Sequence, residues 1–123
     1  MIVAAAGVLL LTASSEAPVN VSGTWLMRET DPSFERTLRL TWLEISQDGE
    51  LVTMRAWEDG DTWTCTGRGQ VEGRRLRLKW WGKDKYWRGT ADLELSGGEL
   101  RGTFQRLDVH AGVQYCRGKA VSR

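Results

Sequence analysis

Apolar and polar residues alternate along most of this chain with a period of two, the repeat of a half-buried β-strand. In "GRRLRLKWWG", residues 73–82, Leu76, Leu78 and Trp80 share one face, and Arg75, Arg77, Lys79 and Trp81 share the other. "YWRGTADLELSGGELRGTFQR", residues 86–106, reads as a hairpin turning at Gly97-Gly98. That turn sets Leu95 opposite Leu100, Ala91 opposite Phe104, and Glu94 opposite Arg101 as a cross-strand charge pair. Trp87, Gly89, Ala91, Leu93 and Leu95 then form an inward row. Glycines at Gly89 and Gly102 ease bending of these strands.

"LRLTWLEISQDGELVTMRAW", residues 38–57, reads as a second hairpin, turning at Asp48-Gly49. Ile45 then faces Val52 and Leu43 faces Met54. Leu40 and Trp57 fall on the other face. A bulge near Trp42-Leu43, reversing the side chains beyond it, reconciles the two apolar sets.

Eight strands are predicted, near 22–29, 36–47, 50–58, 61–70, 74–81, 86–96, 99–106 and 111–119. No crossover helix fits between them, so pairing is antiparallel. Eight sequential strands, each with one apolar face, bury that face most economically by closing on themselves, which also removes exposed sheet edges. The fold class is all-β, an eight-stranded antiparallel up-and-down barrel. A two-sheet sandwich is the alternative.

The leader differs. "IVAAAGVLLLTA", residues 2–13, is apolar and uncharged. It is too short to cross a bilayer of about 30 Å as a helix and matches the apolar core of a secretory signal, with Ala13 and Ser15 as small residues before a cut. Residues 1–17 are read as a signal peptide with a truncated basic start, and residues 18–123 as one barrel domain. The expected location is periplasmic or secreted. Cys65 and Cys116, an even pair in an exported chain, predict a disulfide. It would close a loop of about 50 residues, a gain of roughly 4 kcal/mol in the chain-entropy picture.

The formal charge of +1, with basic residues dispersed along strand faces, argues against nucleic acid and anionic membranes as partners. His110 is the single histidine and reads as solvated. Asp59 and Asp61 around Gly60 read as turn chemistry. No catalytic set, metal site or cofactor is expected. The seven tryptophans remain. Trp25 and Trp80 read as core; Trp81, facing away from Trp80, forms an outward aromatic patch with Tyr86. Trp42, Trp57, Trp63 and Trp87 are candidates for an aromatic-lined ligand pocket, with core packing the alternative for each.

"VSGTWLM", residues 21–27, opens the strand pattern. A Gly-x-Trp at the head of an eight-stranded meander resembles the lipocalin (calycin) group. The resemblance implies that Trp25 packs across a closed barrel end, that Gly23 allows the backbone a close approach, and that a last-strand cation covers the ring. Arg117 is the first candidate for that cation, with Lys119 and Arg123 behind it. In size the chain is nearer to avidin-type barrels and small bacterial periplasmic inhibitor barrels. The expected function is non-catalytic binding of a small apolar or aromatic ligand by an exported lipocalin-like protein. The alternative is a periplasmic protein-interaction or hydrolase-inhibitor barrel; a structural envelope domain is a third reading.

Overall fold

A computed structural model describes residues 17–31, 36–57, 65–83, 87–108 and 112–122, with the backbone alone at 38, 87, 108 and 112–117. Eight strands follow one another: β1 (Gly23–Thr30), β2 (Thr37–Asp48), β3 (Leu51–Trp57), β4 (Cys65–Glu72), β5 (Arg75–Gly82), β6 (Trp87–Ser96), β7 (Glu99–Asp108) and β8 (Gly112–Ser122). Each pairs antiparallel with the next, and β8 returns to β1, closing the barrel. No helix is present among the described residues, so none there is long and apolar enough to cross a membrane.

The β6–β7 hairpin has the register its sequence predicts, with Ala91 opposite Phe104 and Leu95 opposite Leu100. Glu94 and Arg101 are opposite, but the Arg101 guanidinium bonds Glu99 at 2.9 Å instead. The β2–β3 hairpin turns one residue later than predicted, at Gly49-Glu50. Ile45 therefore faces Met54, and Leu43 faces Ala56. This slip of two keeps Leu43, Ile45, Val52 and Met54 together on one buried face. The bulge expected near Trp42 does not occur, because Thr41, Leu43 and Ile45 alternate inward without a break. A register shift lies instead at Glu29/Thr30, between β1 and β2.

One barrel end is closed. The tight turns Gly49-Glu50, Gly73-Arg74 and Gly97-Gly98 lie there, and residues 19–22 cross it. Val21 is fully buried, and its carbonyl accepts the Trp25 indole N–H at 2.9 Å. The Val21 N–H donates to Gln47 Oε1 at 2.7 Å, while Gln47 Nε2 donates to the Val19 carbonyl at 2.9 Å. The Val19 N–H reaches the Gly73 carbonyl at 2.8 Å. Gly23 has φ +129°, a conformation side chains rarely adopt, and this bend leads the plug into β1. The Gly-x-Trp stretch is thus the hinge and anchor of the closed end.

The interior grades along the barrel axis. Aliphatic side chains, among them Val52, Val71, Leu76, Leu93 and Leu100, fill the closed end. Met27, Met54, Trp80 and Phe104 fill the middle, all buried. Glycines on the inward rows make room for these large groups. A Cβ at Gly89 would lie 2.3 Å from the Trp80 ring and 2.1 Å from the Gln105 carbonyl oxygen. The fold thus narrows the barrel until its own side chains fill it.

No disulfide is seen among the described residues, and the predicted Cys65–Cys116 pair falls partly outside them. Cys65 is buried on β4, and the Cys116 side chain lies outside the described residues.

Candidate functional site

Three regions carry chemistry beyond core packing: the interior beneath the open end, and the two halves of the outer wall.

At the open end, a charged residue occupies the inward row of β1. Glu29 follows Trp25 and Met27 in phase and is only 5% exposed. Its carboxylate accepts from Thr41 Oγ1 at 3.2 Å. It also lies 3.4 Å from Arg106 Nη2 and 3.6 Å from Arg39 Nε. Arg106 in turn sits over the Trp80 ring, 5.4 Å from its centroid. Two guanidiniums on one buried carboxylate make a rigid polar cap on the apolar interior. The space among Met27, Glu29, Thr41, Trp80, Phe104 and Arg106 is about 40 Å³. That admits a water or two, whereas ligand pockets run to about 300–1,000 Å³.

The half of the outer wall made by β8, β1, β2 and β3 carries an apolar row. Val121, Leu26, Trp42 and Trp57 are successive cross-strand partners. Leu40, two residues before Trp42 on the same face, is 47% exposed, and Val121 is 40% exposed. Leu26, Trp42 and Trp57 are half-buried. Trp57 ends β3, so the row reaches the open rim.

The other half, β4 to β7, is polar and cationic. Arg68, Lys79, Thr90 and Gln105 are successive partners, and so are Thr66, Trp81, Arg88 and Leu107. Arg68 lies over the Trp81 ring, 5.7 Å from its centroid. A groove of about 420 Å³ runs over all of these residues but Thr66. It shares Lys79, Thr90 and Gln105 with a second groove of about 590 Å³ nearer the closed end.

These placements redraw the predicted site. Trp42 and Trp57 are brought together, but on the outer wall, because the inward phase belongs to Thr41, Leu43 and Ala56. They do not line the interior. Trp63, His110, Asp59, Asp61 and Tyr86 lie outside the described residues, and Trp87 is described by its backbone alone at the head of β6. Trp25 and Trp80 are in the core, each 4% exposed. Trp81 is outward and half-buried.

The pairing of Arg117 with Trp25 is corrected. Trp25 lies opposite Ser122, and Arg117 lies opposite Thr30. Five residues of strand separate these positions, roughly 17 Å. Lys119 lies opposite Arg28, and its ammonium is engaged on the outer wall with Glu99 at 2.8 Å. Arg123 lies outside the described residues. Trp25 is held by the Val21 carbonyl. Glu29, Arg39, Thr41 and Arg106 escaped the sequence reading. The signal was there: each carries polar chemistry in phase with a buried apolar row.

Comparison of the chain with protein-family models, with curated proteins and with solved structures finds no match. What the structure defines is the class: a closed, eight-stranded, antiparallel up-and-down β-barrel.

Proposed function

We propose that the protein is an exported, lipocalin-like barrel that acts without catalysis and binds a partner protein through its outer wall. The observation that carries this reading is the Val121–Leu26–Trp42–Trp57 row. It sets two tryptophans and three aliphatic side chains, Leu40 included, on an outer wall near the rim. Contiguous apolar surface of this kind marks interaction sites, and tryptophans dominate the energetics of such contacts. The interior supports the same choice over a small apolar ligand. Its large side chains are buried against one another, and the space beneath the open end holds no more than a water or two. The export part of this reading is supported by the apolar leader of residues 2–13 and implies a periplasmic or extracellular location.

The test is site-specific photocross-linking in the native host. A photoreactive residue at position 40 is expected to give an adduct with one defined protein. The same group at position 53, exposed on β3 away from the row, is expected to give none. No adduct from position 40, or equal adducts from both, overturns the proposal.

A further inference from the structure

The outer wall of β4 to β7 is independent of the apolar row on the opposite half, and its chemistry is different. Arg68, Lys79 and Arg88 surround Trp81, and none makes an ion pair with a described carboxylate. Farther along the same cleft, Arg75 and Arg77 share Asp92 at 3.3 Å and 4.0 Å, and Glu72 lines the wall. Five cations therefore face two carboxylates across the joined grooves, in a chain whose whole formal charge is only +1. Between the charges stand neutral hydrogen-bonding groups: Gln70, Thr90, Thr103 and Gln105.

We infer that this cleft binds an anionic oligosaccharide, a chain of sugar rings bearing carboxylates or sulfates. Each part of the cleft matches one part of such a ligand. The Trp81 indole, with the Arg68 guanidinium on it, is a flat platform for the apolar face of a sugar ring. Lys79, Arg88 and Arg68 receive the acidic substituents through charge-assisted hydrogen bonds. The amides and hydroxyls of Gln70, Thr90, Thr103 and Gln105 both donate and accept, which suits ring hydroxyls that do the same. Asp92 and Glu72 accept from hydroxyls. A phosphodiester backbone offers acceptors but no hydroxyl donors for Asp92, Glu72 and these neutral groups, so the cleft favours a glycan over a nucleic acid. Together the two grooves exceed a single-sugar site in volume and follow the sheet lengthwise, as an oligomer requires.

The experiment is titration of the full barrel by calorimetry or by nuclear magnetic resonance of the indole N–H groups. The probes are a galacturonate tetrasaccharide, a sulfated chondroitin tetrasaccharide, a methyl-esterified galacturonate tetrasaccharide, and a thymidine 12-mer. At least one acidic tetrasaccharide is expected to bind, and the esterified form at least tenfold more weakly than its acid. Trp81→Ala and Arg88→Gln should each weaken the acidic probe about tenfold or more, with Thr53→Ala, exposed on β3 outside both surfaces, without effect. Should Trp81→Ala lose the wild-type circular dichroism spectrum, Arg88→Gln carries the same test, since its side chain is exposed. The inference is overturned if neither acidic tetrasaccharide binds at millimolar concentration, if the ester binds as well as the acid, if the Arg88→Gln variant binds unchanged, or if the thymidine 12-mer binds more tightly than both acidic tetrasaccharides.

Discussion

Replacing Trp25 tests how the closed end is held. Its ring is 4% exposed, and its indole N–H satisfies the carbonyl of Val21, the fully buried residue of the plug. Trp25→Ala removes a large buried ring, a loss of about 3–5 kcal/mol. Against a typical domain stability of about 5–15 kcal/mol, that is a severe effect. At roughly 4–8 °C per kcal/mol for a domain near this size, it lowers Tm by roughly 12–40 °C. Trp25→Phe separates the hydrogen bond from the ring. It leaves the Val21 carbonyl buried without its donor, at about 1–3 kcal/mol. Gln47→Ala should couple to Trp25→Phe by about 0.5 kcal/mol or more, because both side chains hold Val21. Arg117→Ala should simply add to Trp25→Ala, because its backbone sits opposite Thr30, five residues along the strand. Urea denaturation followed by tryptophan fluorescence gives all of these values. A Trp25→Ala midpoint within about 1 kcal/mol of wild type, or strong coupling between Trp25 and Arg117, would refute the plug as described.

Glu29→Ala leaves Arg39 and Arg106 facing each other without their shared carboxylate, and should destabilise by about 3 kcal/mol in the same assay; a neutral result would mean the cap carries no weight. Gly89→Ala drives a Cβ against both the Trp80 ring and the Gln105 backbone oxygen, and should cost about 3 kcal/mol or more, or abolish soluble expression; wild-type stability would show that the barrel is less constricted than drawn. Alkylation of unreduced protein in denaturant tests the expected Cys65–Cys116 disulfide by intact mass: a single species with no label is expected, and two labelled thiols would refute it.

Local pattern carried most of the fold. The β6–β7 hairpin was legible because Gly97-Gly98 allows one turn and the alternation on both sides agrees with it. The β2–β3 turn slipped because Asp48-Gly49 is a strong turn pair by composition, while the chain gives Gly49 the left-handed position and leaves Asp48 paired with Leu51. Trp42 was misplaced by an assumption about residue type. Strict alternation through Thr41, Leu43 and Ile45 puts it outside, and size alone had suggested inside. The outer sites were unreadable for another reason. Arg68, Lys79 and Arg88 look dispersed along the chain, and only strand pairing brings them around Trp81.

Native mass spectrometry of the protein isolated from its own host addresses most directly whether the barrel works from its outer wall or from its interior. The wild-type barrel should fly with a stoichiometric partner protein. That partner should be lost in the Leu40→Glu variant, while the barrel retains no small apolar molecule in either form. A stoichiometric apolar adduct of a few hundred daltons, retained by both wild type and Leu40→Glu, would contradict the packed interior and return the function to a ligand pocket.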